Sequence, residues 1–278
     1  VAAGDLKLQL GSKEDMGRLS SQLGAFLAEL SRQAAEHELD QEKLKSFLPV
    51  MGLYLDAGQD NPLYNIARMK GYAFTSAFVN LQTDPRSGMS GRAEMGNLQL
   101  GQLLLDTISS RILQDSTGVQ LYGMVKNGKK NPTPMEVRLK SYILPTGAGL
   151  EMKYLDSEGE TGVDLGIQAE MGEEGINVHL YPEHPVLAYR NFTVNKENYV
   201  FLGKDKSIKA DIDLLADDGT GLKIYGEPRD SMNDLTVSVN QLNLGELSTV
   251  LPYLPRIAGI LSGDIHVTDD ALHKQFSA

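Results

Sequence analysis

Residues 234–267 read DLTVSVNQLNLGELSTVLPYLPRIAGILSGDIHV. The opening alternates. Leu235, Val237 and Val239 fall on one side and Thr236, Ser238 and Asn240 on the other, the period-two signature of a half-buried strand. After Gln241 the apolar positions move to Leu242 and Leu244, one residue out of phase, as a β-bulge would produce. The period then changes. Leu247, Val250, Leu251, Leu254, Ile257, Ala258 and Leu261 recur three or four apart, the spacing of one helix face, with Pro252 and Pro255 as breaks or kinks. Ser262-Gly263 ends the helix, and Asp264-Ile265-His266-Val267 starts another alternating run. The predicted unit is strand, short apolar helix, glycine, strand.

The pattern recurs. Leu100-Gly101-Gln102-Leu103 follows a strand pattern just as Leu244-Gly245-Glu246-Leu247 does, and the longer runs NLQLGQL from Asn97 and QLNLGEL from Gln241 are in phase. Met16-Gly17-Arg18-Leu19 is a looser third copy ahead of an amphipathic run. The intervals between copies are unequal, which excludes a short-period solenoid and predicts a long sheet interrupted by helical inserts. On this reading a third helix runs from about Gln102 to Leu113.

Elsewhere the chain is dominated by strands. A short strand at Asp5–Leu10 precedes Ser12, which with Asp15 three residues on resembles a capping box. Met16, Leu19, Leu23, Phe26, Leu27 and Leu30 then form a helical stripe. Asp40 is placed to cap a second helix containing Leu44, Phe47 and Leu48. The expectation for this helix pair is that its apolar stripe packs on the rest of the protein, with partner binding as the alternative.

From Gly71 onward, alternating runs at Tyr72–Leu81, Gly91–Leu100, Val119–Lys126 and Met135–Leu144 are separated by turn-rich segments. In the last of these Met135, Val137, Leu139 and Ile143 face one way, and Glu136, Arg138, Lys140 and Tyr142 the other. Further apolar sets are Leu150, Met152, Tyr154; Val163, Leu165, Ile167; Ile176, Val178, Leu180; and Ile208, Ile212, Leu214. Between them, Asp156–Gly159, Glu173–Gly175 and Asp217–Gly221 read as hairpin turns. The expected fold class is mainly β with helical inserts, an antiparallel meander plus short amphipathic helices. Asn131–Pro134 is the preferred boundary, dividing the chain into 1–130 and 131–278. Such a one-sided meander either folds into a sandwich core or keeps its apolar face for a ligand; the pattern alone leaves both open.

Composition narrows the function classes. The chain of 278 residues carries a formal net charge of −11 and no useful basic run, which argues against nucleic acid and against electrostatic docking on anionic lipid. It has no cysteine, so disulfides, cysteine nucleophiles and thiolate metal sites are excluded, a usage that suits an oxidising compartment. No stretch approaches the roughly 20 apolar residues of a membrane-spanning helix. The chain begins at Val1 with neither Met nor signal peptide, and reads as an excerpt of a longer protein with any membrane anchor outside it.

No catalytic motif stands out. Gly123–Lys130 (GMVKNGKK) nearly matches a phosphate-cradling loop, but Lys130 occupies the place of the magnesium-binding hydroxyl, and Asn127-Gly128 reads better as a hairpin signal. Of five histidines only His179 and His184 are close, with Glu183 between them, a weak metal signature. The acidic turns lack calcium-loop spacing. The reading is a non-enzyme with no cofactor and no metal.

The run from Leu235 to Ile265, LxVxxxxLxLGxLxxxLPxLxxxxGxLSGxI, resembles the TamB/AsmA-like family of bacterial envelope proteins, the translocation and assembly module. Residues 191–224, with an NxxNYxxL turn at Asn195–Leu202, are similar to the C-terminal part of such chains. The resemblance implies a curled, taco-like sheet with an open apolar groove that shields phospholipid acyl chains crossing the periplasm between inner and outer membranes. The groove candidates are Val137, Leu139, Ile143; Val163, Leu165, Ile167; Ile208, Ile212, Leu214; and Leu235, Val237, Val239. It also implies a second class of partner, the outer-membrane barrel-assembly machinery, with the chain as a scaffold that assists secretion or assembly through an exposed strand edge. A carbohydrate-binding sheet is a third option, but it would want clustered aromatics, and the chain has no tryptophan.

Overall fold

The computed structural model describes residues 2–36, 40–228, 233–250, 257–269 and 274–277. The protein is mainly β, 58% strand against 15% helix, so the helices are inserts rather than a layer. Two compact units divide it, Val1–Pro145 and Thr146–Ala278. The Asn131–Pro134 segment lies within the first unit, between two strands.

The first unit contains, in order, β1 (Ala2–Ala3), β2 (Leu6–Ser12), α1 (Met16–Glu36), α2 (Gln41–Ser46), β3 (Met51–Ala57), α3 (Pro62–Met69), β4 (Tyr72–Ala73), β5 (Ser76–Asp84), β6 (Gly88–Leu100), β7 (Leu103–Gln114), β8 (Val119–Asn127) and β9 (Met135–Leu144). The main ladder pairs β2, β3, β5, β6, β7, β8 and β9 consecutively, all antiparallel. The second unit contains β10 (Gly147–Leu155), β11 (Thr161–Met171), β12 (Gly175–Leu187), β13 (Arg190–Asn191), β14 (Thr193–Val194), β15 (Tyr199–Gly203), β16 (Ile208–Leu215), β17 (Gly221–Gly226), β18 (Asn233–Asn243), α4 (Leu244–Thr249), β19 (Ile260–Asp269) and β20 (Lys274–Ser277). Here β10, β11, β12, β15, β16, β17, β18, β19 and β20 follow one another in an antiparallel meander. The expected open antiparallel meander is thus observed; it is not closed into a barrel.

The expected third helix is a strand. Leu103–Gln114 pairs with β6 on one side and β8 on the other. Leu100 and Leu103 face each other across a two-residue turn whose first position, Gly101, has φ +63°, the geometry that suits a tight hairpin. The related run at Leu244 is helical, as expected. The residue that separates the two outcomes precedes the leucine. Asn243 caps α4, accepting from the amides of Gly245 and Glu246, whereas the equivalent Gln99 reaches the Gly101 carbonyl instead.

The shared part of the two runs is a left-handed backbone position, and a register slip accompanies it only in the second. Asn97 and Gln241 occupy equivalent places, both at φ +50°, and the β18–β19 register slips between Val239 and Leu242. The helix expected after Leu247 is described only as far as Thr249. Leu251, Pro252, Leu254 and Pro255 lie outside the described residues, and Leu261 stands in β19, which begins at Ile260 rather than Asp264.

At the first helix the cap is Asp15, whose Oδ1 accepts from the Arg18 amide at 3.0 Å; Ser12 is the last residue of β2. Asp40 caps α2 as expected, accepting from the Lys43 amide. The orientation of α1 departs from expectation. Leu19 is buried, but Met16, Leu23, Leu27 and Leu30 are exposed, Met16 at 68%. The helix docks instead through polar groups. Glu29 and Gln33 are buried, and Glu29 receives Arg32 at 2.7 Å, Gln33 at 3.0 Å and Lys43 of α2 at 3.3 Å. Gln33 exchanges hydrogen bonds with the backbone of Asp40, donating to its carbonyl and accepting from its amide. A charge cluster this well partnered outcompetes the apolar stripe for the docking face.

Asparagine side chains stitch the strand ends. Asn198, 4% exposed, accepts from the Leu180 amide and donates to the carbonyls of Leu180 and Asn195. Asn195 does the same for β16, accepting from Asp213 and donating to Asp211. Asn127 accepts from the Asp106 amide and donates to Leu104 and Thr133 carbonyls.

Two outcomes follow. Asn198→Ala strands the Leu180 amide and carbonyl and should lower unfolding stability by about 1–3 kcal/mol in denaturant melts. The Glu29 carboxyl is held down at about 2, first by its bond from Arg32 and then by Gln33 and Lys43, against the effect of burial. Because the folded value lies below the ordinary 4.5, the α1–α2 clasp is at full strength above that pH and weakens as pH falls from 4.5 toward 2. Carboxyl NMR should place the Glu29 midpoint near the lower value, and a midpoint near 4.5 would contradict the clasp.

Candidate functional site

Register decides which side chains share a face. In the first unit one row across the ladder is Leu10, Leu53, Leu81, Gly91, Ile112, Leu121 and Ser141; the next is Leu8, Leu55, Val79, Ala93, Ser110, Gly123 and Leu139. The reverse face carries Tyr54, Asn80, Arg92, Arg111, Tyr122 and Lys140. Arg92 lies 4.8 Å from the ring centre of Phe78, which meets Tyr54 edge-on at 5.7 Å, so the polar face is laced by its own contacts.

The apolar face is not laced. No residue of those two rows is buried, and Leu121 and Leu139 are 44% and 40% exposed. The short side chains of Gly91, Ala93, Ser110, Gly123 and Ser141 leave its middle shallow. Its ends are closed. At one, Thr83 is buried and donates to the Pro49 carbonyl, beside buried Leu48; at the other lie Ala57, Ala77 and Phe74, all buried. The result is an apolar strip, closed at both ends and open along its length. Val137, Leu139 and Ile143 belong to this face, paired with Val125, Gly123 and Val119.

The second unit's candidates also share one face, and its register runs from Ile167 through Leu180, then Val178, Val200 and Ala210, to Ile212, Ile224, Val237 and Ile265. Burial varies along it. Ile167 is 42% exposed, and Leu165, Ile208, Leu235, Val237 and Val239 are half-buried. Val163, Ile212 and Leu214 are buried, the last two in a core cluster with Phe192, Val194 and Ala216. The segment of β13 and β14, paired within the sheet with β12 and β16, supplies Phe192 and Val194 to this packed cluster. Nothing in the local alternation marks that cluster.

The polar candidates are occupied locally. The Gly128 amide of the phosphate-loop-like run donates to Asp106 Oδ2 at 2.7 Å, and Asn131 donates to Asp106 Oδ1, so the loop is tied to β7. His179 pairs with the Asn198 carbonyl and His184 with Thr193 Oγ1. Asp156 accepts from the amides of Glu158 and Glu160, and Asp218 from Thr220, as turn-forming carboxylates do. Among the described residues no three metal-ligating side chains converge, and no helix is long and apolar enough to cross a membrane.

The different burial of the two sets predicts different outcomes. Ile212→Asp places a carboxylate in a packed cluster and should abolish cooperative folding of the second unit, whereas Leu139→Asp, on an open face, should leave the circular dichroism spectrum and melting midpoint nearly unchanged. Comparison with protein-family models, with curated proteins and with solved structures returns no match.

Proposed function

We propose that this chain is a periplasmic segment of an envelope-spanning protein that shields lipid acyl chains on its apolar sheet face, in phospholipid transport between inner and outer membranes. The observation that carries the reading is the strip of the first unit: two apolar rows crossing seven strands with no buried residue. Water on such a face is unfavourable, and each methylene moved onto it gains about 0.8 kcal/mol, so a modest length of chain contact suffices for binding. Binding of this kind needs continuity of apolar surface and no catalytic group. The resemblance of residues 235–265 to the TamB/AsmA-like pattern supports the compartment and the cargo class.

Native mass spectrometry of the purified protein, with extraction and identification of bound lipid, tests the proposal. The expected result is co-purified phospholipid in the wild type, reduced about tenfold or more in Leu139→Asp or Leu165→Asp while both variants stay folded. A wild-type protein that carries no lipid and takes up no fluorescent fatty acid would overturn it.

A further inference from the structure

The covered end of the second unit's face is not completely filled. Between α4 and the sheet lies a cavity of about 150 Å³ walled by Leu187, Phe192, Leu214, Leu222, Leu242 and Leu247. Leu214 and Leu222 are register partners, and Leu222 pairs with Val239, so the cavity floor belongs to the face that carries the lipid candidates. Arg190 and Glu246 stand at its rim. The Arg190 guanidinium is already committed, donating to Asp218 Oδ2 at 2.6 Å and to Thr220 Oγ1 at 3.1 Å, and reaching Glu246 Oε2 at 3.2 Å. One cation thus faces two carboxylates. The rim offers an anionic headgroup no free positive charge, and the side chains of Thr220 and Asn243 in the lining are engaged with Arg190 and with α4.

A void of this size lined mainly by leucine and phenylalanine accepts a small apolar guest about the size of benzene. We propose that this cavity is a chain-end socket: it takes the terminal carbons of one unbranched alkyl chain, entering tail first, while the remainder of the chain lies outside it. Arg190, next to β12, holds Glu246 of α4 and so keeps the helix over the socket. The inference rests on the lipid-shielding reading and adds to it a place with defined capacity and polarity, where the open strip has neither.

The test is a crystal structure of the full chain with an ω-brominated dodecanoate, in which the bromine reports the chain end by anomalous scattering. A bromine peak between Leu214 and Leu247 supports the socket. Bromine found only along the open faces, with the cavity empty, overturns the socket and leaves the lipid-shielding reading standing; no bound chain anywhere overturns both. In solution, Leu222→Phe fills the void and should weaken dodecanoate binding about tenfold, the loss expected from excluding a few methylenes. Unchanged affinity in a folded variant would overturn the socket. Should that variant fail to fold, Leu242→Phe is the second filling substitution, read in the same way.

Discussion

Register is the constraint on which the structure depends. Because side chains alternate with a period of two, a slip of one residue in any ladder would carry an apolar row to the polar face and break the strip at that strand. The protein holds register with side chains that act as extra backbone. Asn127 reaches β7 and the loop before β9, Asn195 pins β16, and Asn198 bonds both polar groups of Leu180. Salt bridges on the polar face agree with the same alignment: Lys126 meets Glu136 at 3.0 Å, and Lys153 meets Asp164 at 2.8 Å. These exposed pairs contribute little stability singly, but each is compatible with only one register.

With register fixed, the two units treat their apolar faces differently. The first unit closes only the ends, with Leu48 and Pro49 at one and Phe74 at the other, and leaves the middle partly exposed. In the second unit β13 and β14 pair within the sheet, with β12 and β16, and bring Phe192 and Val194 against Ile212 and Leu214, with α4 beside the same face. One alternating pattern thus yields an open strip in one place and a packed core in another. The difference lies in what packs on each face.

That distinction explains what the sequence discloses. Strand alternation is local, so β9 has the expected bounds, the hairpin turns at Asp156, Glu173 and Asp217 stand where read, and the bulge after Gln241 is present. The helix expected from about Gln102 to Leu113 is strand β7 because Leu104, Ile108 and Ile112 satisfy both a helical and a strand period. The capping Asn243, against Gln99 in the related run, was the available discriminator. The face by which α1 docks is not visible in its own stripe, because the buried cluster of Glu29, Gln33, Arg32 and Lys43 forms only when α2 folds back. Burial of Ile212 and Leu214 likewise depends on Phe192 and Val194, about twenty positions away, a contact that no window of alternation contains.

Within the first unit, no described residue buries the middle of the apolar face. The chain has no cysteine, so a single introduced thiol reports on one position without background. In Leu139→Cys, stripped of lipid, the account predicts reaction with a small polar maleimide at a rate close to that of a surface cysteine, slowing severalfold when phospholipid is added. A thiol that reacts slowly with or without lipid, in a folded protein, would show the face to be filled by the protein itself and would contradict the account.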